Sequence, residues 1–189
     1  MTQQEKEDLV RNQLLAIGEN PDREGLKDTP TRIVKMWDEI YRGYDINQKP
    51  KITVFNNNQD GIKYDQMIVD TGYFYSQCEH HGVPFFGQYF FAYVPQNKVM
   101  GLSKVARIVD FFSAKLQIQE RLVKEIVDEI ETETVPKGIG LVLKARHLCK
   151  EMRGVKKNEG LMITSDLRGV FKLEPDARAE FMSFINNQK

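Results

Sequence analysis

The chain has 189 residues, with 27 lysines and arginines balanced by 27 aspartates and glutamates. That length forms one domain of ordinary size with a real core. The formal net charge of zero gives no mark of a nucleic-acid or membrane-surface binder, so any anion site must be a local cluster. No apolar run approaches the roughly 20 residues that span a bilayer, and Met1-Thr2-Gln3-Gln4-Glu5-Lys6 lacks a signal peptide's apolar stretch, so a cytoplasmic location is expected.

Residues 1–48 read as a helical arm. Leu9, Val10, Leu14 and Ile17 supply an apolar stripe that Asn20-Pro21 and Gly25 interrupt. A second helix is expected to begin at Thr29-Pro30, where the hydroxyl can cap free amides and proline suits the first helical position. Its apolar face is Ile33, Met36, Trp37 and Ile40.

Residues 49–189 form the larger unit. Ile52-Thr53-Val54-Phe55, Met67 to Tyr75 and Phe85 to Val94 are strand-like runs rich in β-branched and aromatic residues. A turn at Pro95-Gln96-Asn97-Lys98 precedes two helical patterns, one carrying Val105, Ile108, Val109 and Phe112, the other Leu122, Val123, Ile126, Val127 and Ile130. Gly138 to Cys149 alternates as a strand, Leu161 to Phe171 reads as another, and Pro175 to Ile185 as a closing helix. This order predicts an α+β fold with a largely antiparallel sheet.

Every histidine and cysteine falls in one of two clusters, Cys78-Glu79-His80-His81 and His147-Leu148-Cys149. Thiols and imidazoles gathered this way point to one transition-metal site, most plausibly zinc. On a continuous strand, period two would put His147 and Cys149 on the same face, and Cys78 and His81 have the offset of a tight metal-binding turn. A disulfide between the two cysteines is the bland alternative, and histidines beside both weigh against it. Two metal readings remain open. A closed structural site would use two cysteines and two histidines, whereas ligation by Cys78, His81 and Cys149 alone would leave a fourth position for water. Five candidate donors are one more than a tetrahedron needs, and a spare imidazole can move protons near neutral pH, which favours the catalytic reading.

Gly101-Leu102-Ser103-Lys104-Val105-Ala106-Arg107 opens a helix with Ser103 as the expected cap. Lys104 and Arg107 share a face near its positive end, an arrangement suited to phosphate, although taken alone a solvated helix face is the more ordinary explanation. Arg153 adds a cation just past Cys149. Gln119-Glu120 opens the next helix, where a glutamate is usually a dipole-stabilising surface residue but a buried one can accept both donors of a guanine edge.

Taken together, Cys78-Glu79-His80-His81, Gly101-Leu102-Ser103-Lys104 with Arg107, Gln119-Glu120-Arg121-Leu122, His147-Leu148-Cys149 and Arg153-Gly154 resemble, in order and spacing, GTP cyclohydrolase I of type IA. The resemblance extends to Thr29-Pro30-Thr31-Arg32 and to Thr164-Ser165 before Gly169-Val170-Phe171, and so covers nearly the whole chain. It implies a tunnelling fold, an antiparallel sheet with helices packed on one side plus the N-terminal helical arm, assembled as a homo-oligomer of two stacked pentamers with active sites between subunits. It also implies a hydrolase acting on a cyclic amidine C–N bond. That enzyme opens the imidazole ring of GTP at C8, releases formate and gives 7,8-dihydroneopterin triphosphate, a first step shared by folate, pterin and 7-deazaguanine routes.

By the same resemblance, Cys78, His81 and Cys149 hold Zn2+, and His80 and His147 transfer protons. Ser103 assists at the sugar, and Glu120 grips the guanine edge with Gln119 adjacent. Lys104, Arg107 and Arg153 bind the triphosphate, with Arg32 reaching from the arm. Basic Lys144 and Arg146, where many relatives carry an acid, and Gly82, where a bulkier apolar residue is common, depart from the family pattern and bear on subunit contacts or on hydrogen bonds behind the metal. Two other readings are a silent zinc-stapled assembly protein, which would tolerate loss of Glu120, Ser103 or Lys104, and a related tunnelling-fold enzyme acting on a pterin or deazaguanine precursor. The pterin synthases of that group use three histidines on zinc, and two thiols argue against them.

Overall fold

A computed structural model describes residues 1–187. The arm begins with α1 (Gln3–Ala16), whose start is held by a reciprocal capping box between Thr2 and Glu5. Only Val10 of the expected stripe is buried, while Leu9 and Ile17 are exposed, the latter because the helix stops before it. In α2 (Thr29–Ile40) the buried positions are Pro30 and Val34; Met36 faces out. Asp28, not Thr29, precedes the first turn, and no side chain caps it. The arm reaches the rest of the chain through residues 42–44, where Gly43 N–H donates to Ala114 O (2.8 Å) and the Tyr44 hydroxyl accepts from Leu116 N–H (3.2 Å).

The larger unit contains β1 (Val54–Asn56), β2 (Ile68–Cys78), β3 (Pro84–Val94), β4 (Lys98–Met100), α3 (Ser103–Ser113), β5 (Leu116–Gln117), α4 (Gln119–Thr134) and β6 (Gly138–His147). It closes with α5 (Leu148–Glu151), β7 (Met162–Gly169), α6 (Val170–Leu173) and α7 (Pro175–Asn186). Five strands form one sheet in the order β5-β2-β3-β6-β7, antiparallel throughout except for the short parallel pair β2–β5. β1 and β4 pair separately. The expected α+β class holds, and the two short strands β4 and β5 are additions that too few residues announce.

Period two divides the sheet into two faces. Phe85, Tyr89, Phe91 and Tyr93 of β3 and Ile139, Leu141, Leu143 and Ala145 of β6 pack against Val105, Ile108 and Val109 of α3 and Leu122, Ile126 and Ile130 of α4. The two long helices therefore share one face, and they bury the main core. On the other face a smaller cluster joins Phe90, Ala92 and Val142 to Phe171, Phe181 and Ile185. Phe171 belongs to this cluster from a helix, because the chain leaves the strand at Gly169; the run expected to stay extended to Phe171 is two residues shorter.

At Gly87, in the middle of β3, β6 comes unusually close. A Cβ there would lie 1.9 Å from Lys144 O and 2.7 Å from Ala145 Cα. The obstruction is backbone, which cannot rotate away. Gly87→Ala is expected to destabilise the fold by about 1–3 kcal/mol, the range for overpacking, lowering the melting temperature by about 2–4 °C per kcal/mol. Thermal unfolding followed by circular dichroism checks it, and an unchanged transition would show that the two strands can separate freely.

Candidate metal centre

β2 ends at Cys78, and the tight connection to β3 turns back on that residue. His81 N–H (3.3 Å) and Gly82 N–H (2.8 Å) donate to Cys78 O, while Cys78 N–H donates to Val83 O (2.9 Å). Gly82 takes φ +65° with open space where a Cβ would stand, so a larger residue there meets backbone strain rather than a clash. This turn brings the His81 ring nitrogen Nδ1 to 3.8 Å from Cys78 Sγ.

Cys149 arrives from across β3. Contrary to the strand alternation, β6 stops at His147 and Cys149 lies in the helical turn α5. The strand ends there because its ladder partner runs out. His147 pairs with Phe85, and the next residue of β3 is Pro84, which lacks an N–H to extend the ladder. Arg146 and Glu151 then bridge α5, with Arg146 Nε at 3.1 Å and Nη2 at 2.6 Å from the carboxylate of Glu151, a pairing that draws the Glu151 carboxyl below its usual range. One of the two unusual basic residues thus braces the turn that carries Cys149. The other, Lys144, sits over the Phe90 ring on the opposite face of the sheet from the metal centre (4.9 Å).

The donor atoms of Cys78, His81 and Cys149 all lie within 4.8 Å of one another, and both thiols are free. For donors held about 2.0–2.3 Å from one ion in a tetrahedron, neighbours stand roughly 3.3–3.8 Å apart, so the 3.8 Å between Cys78 Sγ and His81 Nδ1 is within a few tenths of an ångström of the separation a shared ion requires. Burial first, then the neighbouring Cys78 thiol, pushes the Cys149 thiol up; a bound cation reverses that balance by favouring thiolate. Two sulfurs and one imidazole form a borderline donor set suited to zinc.

The other two imidazoles stand outside this group. His80 is exposed, with Nδ1 at 3.9 Å from Cys78 Sγ and Nε2 at 4.0 Å from the Glu79 carboxylate. Glu79 is in turn clamped by Arg121, whose Nε donates to Gln117 Oε1 (2.9 Å). His147 lies flat on Phe85, ring centroids 4.6 Å apart and 7° between planes, with Nε2 at 2.8 Å from Gln119 Oε1. Burial lowers its pKa, with Glu120 as the largest opposing influence. His147 and Cys149 line a cavity of about 400 Å³ with Lys150, Gly160, Leu161 and Met162.

Glu120 is exposed in the first turn of α4, near enough to His147 to act on its charge. Arg153 is exposed and acts on Cys149 in the same way. Gln119, expected beside the guanine edge, is buried, and its amide is engaged within the chain. Ser103 lies inside the first turn of α3, not before it, because Leu102 already has helical angles. Arg107 lines a separate cavity of about 290 Å³ with Arg42, Gln48 and Asp110. Arg32 is exposed on the arm and paired with Asp28 (3.4 Å). Arg107 and Arg32 thus have surroundings of their own, apart from the cavity that His147 and Cys149 line. Phe85 belongs to the surroundings of the centre and carries no sequence signal of its own; only the register of β3 on β6 brings it there, while Arg121 arrives from α4 and Thr164 through the register of β6 on β7.

Residues 6–186 match the family GTP cyclohydrolase I. Curated relatives agree along most of their length. A protein of Leptospira biflexa serovar Patoc named GTP cyclohydrolase 1 is 44% identical over 181 residues, covering 95% of this chain and 97% of its own. Proteins of the same name from Caldanaerobacter subterraneus subsp. tengcongensis and Sulfurihydrogenibium sp. are 46% and 45% identical, each covered over 95% of its length and covering 95% and 97% of this chain.

Proposed function

The chain belongs to the GTP cyclohydrolase I family, and on that premise we propose that it opens the imidazole ring of GTP at C8, releases formate and closes a pterin ring to give 7,8-dihydroneopterin triphosphate, with zinc held by Cys78, His81 and Cys149. It is a hydrolase of the GTP cyclohydrolase type. The observation that carries the finer reading is a three-donor set accompanied by imidazoles that stand outside it. A closed structural site has no use for such neighbours.

Bound there, zinc supplies Lewis acidity, the means of making water nucleophilic at neutral pH. His147, held flat between β3 and α4, and His80, exposed at the surface turn, carry protons to and from the ring nitrogens and the ribose oxygen. The Glu120 carboxylate accepts from the guanine ring N–H and its exocyclic amine. Lys104, Arg107 and Arg153 bind the triphosphate, Arg32 adds a weaker contact from the arm, and Ser103 assists at the sugar. That Arg107 lines a cavity other than the one lined by His147 and Cys149 fits sites completed by a neighbouring subunit. The unpaired outer edge of β7 is the natural place for a neighbour's strand to join. We accordingly place the chain in a homo-oligomer, two stacked pentamers, with residues 1–48 as a helical arm on a tunnelling-fold domain of residues 49–189. No helix among the described residues is long and apolar enough to cross a membrane, in keeping with a cytoplasmic enzyme.

The test is incubation of metal-loaded protein with GTP, following formate and the absorbance or fluorescence of the pterin. Absence of formate overturns the reading. Within it, Glu120→Gln is expected to lower kcat/KM for GTP by about 5–150-fold, the equivalent of a buried donor mismatch of roughly 1–3 kcal/mol. Inhibition by inorganic triphosphate should hardly change. Equal loss of both would mean that Glu120 shapes the pocket rather than reads the base.

A further inference from the structure

Gln119 is a buried polar residue in contact with His147, and its orientation is decided by two partners that can only accept. Its Nε2 lies 3.1 Å from Leu143 O, 3.1 Å from Met162 O and 3.0 Å from Thr164 Oγ1. Two of these are backbone carbonyls, one in β6 and one in β7, and neither has a proton to give. The amide nitrogen must therefore face them, which leaves Oε1 facing His147 Nε2 at 2.8 Å. An amide oxygen can only accept, so the proton of that contact belongs to His147.

We propose that Gln119 is a positioning residue that holds neutral His147 in the Nε2–H form, leaving Nδ1 as the ring nitrogen with the free lone pair. The proposal rests on the reading of His147 as a proton carrier and makes it specific to one atom. The imidazole cannot turn over to exchange its nitrogens without losing the Gln119 contact, and Phe85 flat against one face restricts the same motion. In its neutral form His147 can therefore take a proton only at Nδ1. Gln119 acts behind the imidazole rather than on the guanine, because both its amide protons are taken up within the chain by Leu143 O, Met162 O and Thr164 Oγ1.

The chain has three histidines, so solid-state NMR of uniformly ¹⁵N-histidine-labelled, metal-loaded protein resolves them without a size limit. His81 is identified by its change on metal removal and His147 by its loss in His147→Asn. Recorded where the ring is neutral, His147 is expected to show a protonated Nε2 and an unprotonated Nδ1. The opposite form, or a mixture in the unmodified protein, overturns the proposal. Gln119→Met removes the acceptor at similar volume. If it folds, it should give mixed tautomers and a kcat lowered about 10–100-fold, the usual cost of removing an orienting hydrogen bond, with metal content kept and KM for GTP within about two-fold. A raised KM with kcat preserved would instead place the Gln119 amide on the substrate. The nitrogen spectrum needs no turnover. A chain inactive on GTP would overturn the enzymatic reading and leave the tautomer to be judged separately.

Discussion

Cys149→Ser is expected to strip the metal and abolish turnover together. A serine hydroxyl is not ionised near neutral pH and is a hard donor, so it replaces neither the charge nor the softness of the thiolate. With apparent binding energies of about 10–16 kcal/mol for four-ligand zinc sites, one ligand accounts for roughly 3–4 kcal/mol, a fall of about 10²–10³-fold in affinity. The fold itself should survive, since Cys149 lies at the rim of the main core rather than inside it. Metal analysis, formate release and far-UV circular dichroism on the same preparation check all three points. A variant that keeps stoichiometric metal would remove Cys149 from the donor set.

His80→Ala is expected to do the opposite on the metal side. His80 is exposed, and no part of the core rests on it. Its loss leaves Cys78, His81 and Cys149 where they are while deleting a proton carrier, an effect of about 10²–10⁴-fold on the chemical step. Single-turnover measurements beside metal analysis separate the two roles. If zinc is lost as completely as in the cysteine variant, His80 is a ligand and the fourth position is not open.

Much of the site was legible because its chemistry is concentrated. Cysteine and histidine occur nowhere else in the chain, so their two clusters mark a candidate metal site from sequence alone. The antiparallel sheet and its two core helices followed from apolar spacing at Val105, Ile108 and Val109 and at Leu122, Ile126 and Ile130, all of which are buried. Less was legible where an element ends. The alternation through Leu141, Leu143, Ala145, His147 and Cys149 continues past the point where Pro84 withdraws the ladder, and nothing local to Cys149 records what stands opposite. The same limit hid Phe85 under His147 and Gln119 behind it, contacts set by register between strands and by where a helix lands on them. The arm misled for another reason. Leu9, Ile17 and Met36 have the spacing of a buried face, yet within one chain the arm has little to bury them against.

The donors of the metal centre lie on opposite sides of β3, one pair at the turn that precedes it and the third beyond the far end of β6. During synthesis the Cys78–His81 turn leaves the ribosome well before Cys149. Until β6 has been made and laid against β3, the chain offers an ion only one of its two thiols, with His80 and His81 beside it, a weaker trap than the complete donor set. Closing the long intervening loop adds little further cost, since loop entropy grows by only about 0.6 kcal/mol per doubling of length. A metal bound at this centre would thus be captured after the strands have docked rather than serving as the seed around which they gather, and an immature chain would hold it less tightly than a finished molecule.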